Sequence, residues 1–366
     1  MHNYLLTCSL WLEALVKHEV SKQGWNITEV QDKAVYFEGE IEMIVRMNIW
    51  SRFGNILYYV VAEQENVTDF DNYFDIIFAQ DWEKFVPKWY EIVVRATAIK
   101  SELGALSPLQ ALCKKAIVKK LSWDEVLWED KEKWTLEVSI VIVEDTLKIM
   151  INTSGDGLHK RGYREMTGDA PLKENIAAAL VILSGWKFRE PLYDIFCGSG
   201  TIGIEAAMIA RNIAPWLKRH FAFEDWRWVP HDMFVAEKAA ATEKEFSGEY
   251  KIYCTDIRKD IIELGKRNAK FAGVDDTISF GVQDYETYMR REVSGYLVSN
   301  PPYGMRLEEV DVPEVHRNIA AFIEKNTSLN GWIITAHSEF ESYANTKYKK
   351  RKLYNGGEMC YFYRKL

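Results

Sequence analysis

From residue 171 to residue 366, short apolar runs of strand length alternate with segments of helical spacing, and no other feature limits the fold as much. PLKENIAAALVILSGW (171–186) reads as an amphipathic helix, LYDIFC as a strand, and GSGTIGIEAAMIARN as a loop entering a helix. KIYCTDI then reads as a strand, RKDIIELGKRNAKFAG as a helix, and TISFGVQ, GYLVSN and GWIITAHS as further strands. Strands alternating with helices build a parallel, doubly wound sheet. The final stretch, YKKRKLYNGGEMCYFYRKL, reads as two strands around Asn355-Gly356-Gly357. That hairpin signal ends the parallel sheet in an antiparallel pair.

The first part of the chain has a different texture. YLLTCSL (4–10) is a strand candidate, WLEALVKHEVSKQG a helix ending at Gly24, and IEMIVRMNIWSRFGN a helix closed by Gly54. With the strands around them these make a small α+β domain over 1–65. A second α+β unit follows over 66–155. It holds the strand YEIVVRATAIK, a helix opened by Ser107-Pro108, and two strands joined at Glu144-Asp145. Residues 156–170 then form a linker to the α/β domain, 171–366.

The 48% apolar and 27% charged composition is that of a globular protein and excludes a mainly disordered chain. No run reaches the roughly 18 apolar residues of a membrane helix. The first twenty residues lack a basic lead and are interrupted by charge, so no secretory signal is expected. A cytoplasmic protein follows as the expectation, with no membrane partner. Cys8, Cys113, Cys197, Cys254 and Cys360 are scattered, which excludes a zinc knuckle or a disulfide framework. No metal is expected, and nothing in the sequence fixes an oligomeric state.

Net charge is −8, but it is unevenly spread. Residues 1–83 carry 5 basic and 14 acidic residues, whereas residues 84–120 carry 8 basic and 2 acidic. Lys114, Lys115, Lys119 and Lys120 recur at i, i+1, i+5 and i+6, one stripe of a helix. A solvated helix face and a phosphate-binding face are both open readings.

Two motifs carry chemistry. In Asp194-Ile-Phe196-Cys197-Gly198-Ser-Gly200-Thr201 an apolar strand runs into glycines and a helix starts at once. Glycines let the backbone turn and a ligand approach it, while the helix start offers free N–H groups. The letters also fit G-x-G-x-x-G through Gly203, but Asp194 would repel a pyrophosphate and suits a cofactor bearing an amine and a sulfonium. Asn300-Pro301-Pro302-Tyr303 follows the strand GYLVS. The prolines remove two N–H donors, the Asn supplies a carbonyl acceptor, and the Tyr supplies an aromatic face. Together they describe a pocket for the exocyclic amine of a planar base.

These two motifs resemble the class I S-adenosylmethionine-dependent methyltransferases that act on exocyclic amino nitrogens. Ser154-Gly-Asp-Gly-Leu-His159-Lys160-Arg161-Gly-Tyr-Arg164 and Ala170-Pro-Leu-Lys-Glu174 are similar to the linker and first helix of the THUMP-domain RNA guanine-N2 methyltransferases, nearest to the bacterial 23S rRNA enzymes of the RlmL/YpsC group. The resemblance runs through essentially the whole chain. It implies an α/β, Rossmann-like class I methyltransferase domain with a parallel sheet ending in an antiparallel hairpin, preceded by α+β ferredoxin-like and THUMP domains. It implies S-adenosylmethionine as cofactor, RNA as partner (rRNA, with tRNA the competitor), and transfer to guanine N2. Asp194, Phe196, Cys197, Gly198, Gly200 and Thr201 would lie against the cofactor, Asp256 on its ribose hydroxyls, and Asp284 near its adenine amine. Asn300, Pro301, Pro302 and Tyr303 would hold the target base, with Asn300 also touching the cofactor. Glu224 is the rival ribose acid, because Asp256 lies 62 residues past Asp194, beyond an insert over 213–249.

Cys197 reads as a wall residue and not a nucleophile, since ring attack would need a cysteine near Asn300. His159, Lys160, Arg161 and Arg164 form a basic cluster for which linker solubility is the plain reading, and RNA-phosphate or cofactor-proximal contacts are expected of them. The alternatives are a DNA adenine-N6 methyltransferase, which N-P-P-Y also serves, and a non-catalytic RNA-binding assembly factor with a relic cofactor site.

Overall fold

The computed structural model describes residues 1–86, 91–121, 135–164, 172–217, 219–302 and 311–366. Its contacts divide the chain into two units. One comprises residues 1–7, 16–158 and 218–239, and the other comprises residues 8–15, 159–217 and 240–366.

The first unit is built on a seven-stranded sheet. Its strands are β1 (His2–Cys8), β2 (Asn26–Gln31), β3 (Ala34–Gly39), β4 (Gly54–Gln64), β5 (Glu91–Ile99), β6 (Thr135–Val143) and β7 (Thr146–Asn152), in the order β2-β3-β1-β4-β7-β6-β5. The pattern in β6 shows why these residues make a strand. Leu136, Val138, Ile140 and Ile142 are fully buried at a period of two, and the residues between them are not. The turn to β7 falls at Glu144-Asp145, as the sequence indicates, with φ of 48° and 59°. Asp145 holds that turn by accepting from Ser101 Oγ (2.7 Å) and the Glu102 amide (2.9 Å). β4 pairs with β7 antiparallel, so the two α+β segments read separately from sequence share one sheet.

The second unit carries the expected doubly wound sheet. Its strands are β8 (Leu192–Asp194), β9 (Ile252–Asp256), β10 (Ile278–Val282), β11 (Gly295–Ser299), β12 (Leu329–Thr335), β13 (Tyr348–Asn355) and β14 (Glu358–Lys365). They lie in the order β10-β9-β8-β11-β12-β14-β13. The pairs from β10 through β12 are parallel, and β12–β14 and β14–β13 are antiparallel. The hairpin turns at Gly356-Gly357, between the paired residues Asn355 and Glu358.

The helix Glu174–Ser184 departs from the amphipathic expectation. Every residue from Glu174 to Val181 is buried, and only Ile182 is clearly exposed. The helix Thr201–Ala210 is buried along its whole length, so these two apolar helices form an inner layer against the sheet. No helix among the described residues is long and apolar enough to cross a membrane.

Strand order reverses between β9-β8 and β8-β11. In open α/β sheets a ligand crevice forms outside the carboxyl ends of the strands at such a switch point. The ends of β8, β9 and β11 are therefore the place to look for a site.

Candidate cofactor and base site

β8 ends at Asp194, and the backbone turns through Gly198 and Gly200, both at positive φ (50° and 83°), before the helix Thr201–Ala210 begins. A Cβ added at Gly198 would meet nothing within 4 Å, so the turn faces open space there. At Gly203 a Cβ would collide with the Cys254 sulfur. The three glycines thus divide the work: Gly198 keeps the turn open, Gly200 turns the chain where a Cβ would meet the Phe280 ring at 2.9 Å, and Gly203 lets the helix pack directly on β9.

Asp256 closes β9. Its Oδ2 accepts the Gly198 amide (3.0 Å) and its Oδ1 accepts the Arg258 amide (3.0 Å). Asp256 and Ile257 form one wall of a cavity of about 390 Å³. Ile195 and Phe196 line it from the glycine turn, and Asp284 and Tyr285 from the end of β10. The Phe196 and Tyr285 rings stand 5.0 Å apart. Asn300, Pro302 and Val315 complete the lining from the end of β11 and the following helix Val312–Lys325. The size falls in the range of small-molecule sites. Asn300 Oδ1 is buried and has no hydrogen-bond partner among the described residues. An orphaned acceptor in such a place asks for a ligand donor. Pro301 is buried, and Tyr303 lies outside the described residues.

Asp194 sits behind this lining and is 2% exposed. It accepts from Ser299 Oγ (2.5 Å) and, at 3.4 Å, from the Phe196 amide. Burial pushes its carboxyl up to about 7, partly offset by those donors. Ser299 was not singled out from the sequence, although a lone hydroxyl ending the apolar strand before Asn300 is a usable signal. It bolts the start of the glycine turn to the end of β11 and so sets where Asn300 stands. Cys197 is buried beside Cys254, and burial raises its thiol well above the ordinary value. That environment keeps the thiol neutral, and Cys197 is not among the residues that line the cavity.

The structure corrects the reading of Arg161 and Arg164 as RNA contacts. Arg161 is fully buried and makes a two-pronged ion pair with the equally buried Glu205 (3.1 and 3.3 Å). Tyr163 donates to the same carboxylate (3.2 Å), and the Trp216 ring lies 5.0 Å from the guanidinium. Arg164 donates to Thr201 Oγ1 (2.7 Å) and the Leu172 carbonyl (2.5 Å), and pairs with Glu174 at 3.4 Å. Both guanidiniums brace the helix that follows the glycine turn, and neither is offered to solvent. Lys160 is exposed and His159 half-buried.

In the other unit, Lys114, Lys115, Lys119 and Lys120 lie off the buried face of the helix Leu106–Leu121, which is made by Leu109, Cys113, Ala116 and Ile117. Lys119 stands 5.6 Å from the rings of Phe74 and Phe78, and Lys120 5.4 Å from Phe78. Glu224 also belongs to that unit, where it accepts the Phe221 amide at 2.7 Å.

A parallel sheet of this strand order, with a glycine turn after its first strand and an acid closing its second, defines a class I methyltransferase whose cofactor is S-adenosylmethionine. Residues 161–362 match the family described as RMKL-like, methyltransferase domain, and residues 3–55 match the RlmL ferredoxin-like domain. The chain belongs to this RlmL-like methyltransferase family. It is 35% identical over 361 residues to YpsC of Bacillus subtilis (strain 168), provisionally named an RNA methyltransferase, covering 97% of this chain and 93% of that one. Among solved structures, a protein of Listeria monocytogenes described as a predicted N6-adenine-specific DNA methylase is 35% identical with a TM-score of 0.92, over 100% of this chain and 96% of that one. SMU.472, provisionally described as a methyltransferase and solved with SAH, is 33% identical with a TM-score of 0.90, over 99% of this chain and 97% of that one.

Proposed function

We propose that the protein methylates the exocyclic N2 of a guanosine in RNA, with 23S rRNA as the first candidate and tRNA as the alternative. The observation that carries this reading is the buried, unpartnered Asn300 Oδ1 in the same cavity as the Asp256 carboxylate. The name given to the Bacillus relative and the RlmL-type ferredoxin-like domain support RNA as the substrate class. In this reading residues 66–155 act as a THUMP RNA-binding module. The lysines of the helix Leu106–Leu121, with His159 and Lys160, contact RNA.

The cavity residues suit the cofactor. Asp256 has carboxylate acceptors for a ribose, although two backbone amides already use part of their capacity. Gly198 leaves the turn open for close approach. Asp284, which lines the same cavity, would accept from the adenine amine. S-adenosylmethionine, when bound, supplies an electrophilic methyl group on a sulfonium. Guanine N2 is a weak nucleophile, because its lone pair is delocalised into the ring. Asn300 Oδ1 and the Pro301 carbonyl accept from the amine, favouring a more pyramidal nitrogen and orienting its lone pair. Tyr303 would supply an aromatic face for the base. The remaining acceleration comes from positioning. The target guanosine is unpaired or flipped out, since N2 is not presented to a protein cavity from within a duplex.

A second reading is adenine-N6 methylation of DNA, favoured by the description of the Listeria structure. Both readings use Asn300, so a first experiment tests the amine pocket itself. Single-turnover methyl transfer to RNA at saturating cofactor should fall about 10²-fold or more in Asn300→Ala, as loss of a positioning contact does. Cofactor affinity should change far less than the transfer rate, because Asp256 and the glycine turn remain. Near-normal transfer by that variant would overturn the amine-pocket assignment.

A further inference from the structure

The C-terminal hairpin carries a charge pattern that neither the cofactor site nor the amine pocket explains. Residues 344–366 hold seven basic residues and one acidic residue, in a chain whose net charge is −8. Five of the seven, Lys347, Lys349, Lys350, Arg351 and Lys352, fall in six consecutive positions. All five are exposed. Lys350 pairs with Glu341 at 2.5 Å, and Arg351 donates to the Trp11 carbonyl at 3.0 Å. Lys347, Lys349 and Lys352 have no ion-pair partner among the described residues.

Strand register places this row relative to the reactive centre. Ser299 of β11 pairs with Ile333 of β12, Ile333 with Tyr363 of β14, and Tyr363 with Lys350 of β13. Thr335, at the end of β12, leads in the same way through Tyr361 to Lys352. The basic row is therefore level with the end of β11, where Asn300 begins. It stands three strand spacings to the side, roughly 14 Å at about 4.8 Å per spacing.

Lysine on an edge strand can serve only to block edge-to-edge association. The opposite edge of the same sheet argues against that use here. β10, Ile-Ser-Phe-Gly-Val, carries no charge at all, and its Val282 is 52% exposed. A sheet that leaves one edge uncharged does not require four cations on the other, with a fifth, Lys347, just before it. The cations are also concentrated at the level of the site.

We propose that β13 is the track that holds the phosphate backbone of the RNA flanking the target nucleotide, within the catalytic unit itself. This rests on the reading of the substrate as RNA. Phosphates beside a base seated at Asn300 would pass the open edge of the sheet. There, unpaired ammonium groups bind them without base preference, as backbone-positioning contacts do.

The test is a triple neutralisation, Lys347→Gln, Lys349→Gln and Lys352→Gln, which breaks no ion pair and leaves the core untouched. Binding of protein-free bacterial RNA by the full chain is measured across a salt series, alongside thermal unfolding and cofactor affinity. Three lost phosphate contacts should make the slope of log K against log salt less negative by about 2, at about 0.7 per contact on a single strand. Affinity at physiological salt should weaken about tenfold or more, with unfolding temperature and cofactor binding unchanged. A variant with the wild-type slope and affinity overturns the proposal and leaves RNA methylation standing. A variant that self-associates while binding RNA normally also overturns it, in favour of edge protection. Failure of the wild type to bind RNA in a salt-dependent way overturns the RNA reading itself, and the track with it.

Discussion

Asp256 accepts two backbone amides and still lines the cavity, whereas Glu224 is held by the Phe221 amide in the other unit. Asp256→Ala should therefore weaken cofactor binding by about 1–3 kcal/mol, the range for a lost hydrogen bond to a charged group. Glu224→Ala should change it far less. Titration calorimetry with S-adenosylmethionine checks the ranking, and the reverse order would overturn the ribose assignment. Glu205 makes a second residue-level case. Glu205→Gln leaves the Arg161 guanidinium buried without its counter-charge, a loss that costs about 3–5 kcal/mol. Chemical denaturation should show that loss, and a variant as stable as wild type would mean that the pair is not what braces this helix. Arg161 also shows where sequence reading stops. An arginine among basic neighbours looks like an RNA contact, and its partner lies 44 residues away on a helix with no other charge. Nothing in local spacing links the two.

Among elements, the ends of β8 and β11 are joined by the Asp194–Ser299 hydrogen bond. Burial raises the Asp194 carboxyl from 3.8 to about 7. Between those values the folded protein keeps a proton that the unfolded chain releases, so this group lowers stability as pH rises through the window. Asp194→Asn cannot titrate. The unfolding temperature of the variant relative to wild type should therefore rise between pH 4 and pH 7 and then level off. A difference that stays constant across that range would contradict the buried-carboxylate account. The α/β alternation, the glycine turn, the Asn300 loop and the Gly356-Gly357 hairpin are legible in the sequence, because each is a local pattern with a local cause. The shared sheet of the first unit is not legible. Apolar runs of strand length mark β4 and β7, but their pairing joins residues some ninety positions apart. The full burial of the helix Glu174–Ser184 is likewise hidden. An apolar helix looks similar whether one face or all of it meets the core.

Across the whole molecule, a net negative chain concentrates its positive charge in two places, the helix Leu106–Leu121 and the strand β13. Salt-dependent binding of an acidic backbone by an acidic protein calls for such a division. Under the proposed function, the orphaned Asn300 acceptor would hold the target base and these basic surfaces would hold the backbone of the RNA. The most direct measurement incubates the purified protein with isotope-labelled S-adenosylmethionine and, separately, total bacterial RNA and genomic DNA, followed by digestion and nucleoside chromatography. The account predicts label in N2-methylguanosine from RNA. Label in N6-methyladenosine from DNA, or none in either nucleic acid, would contradict it.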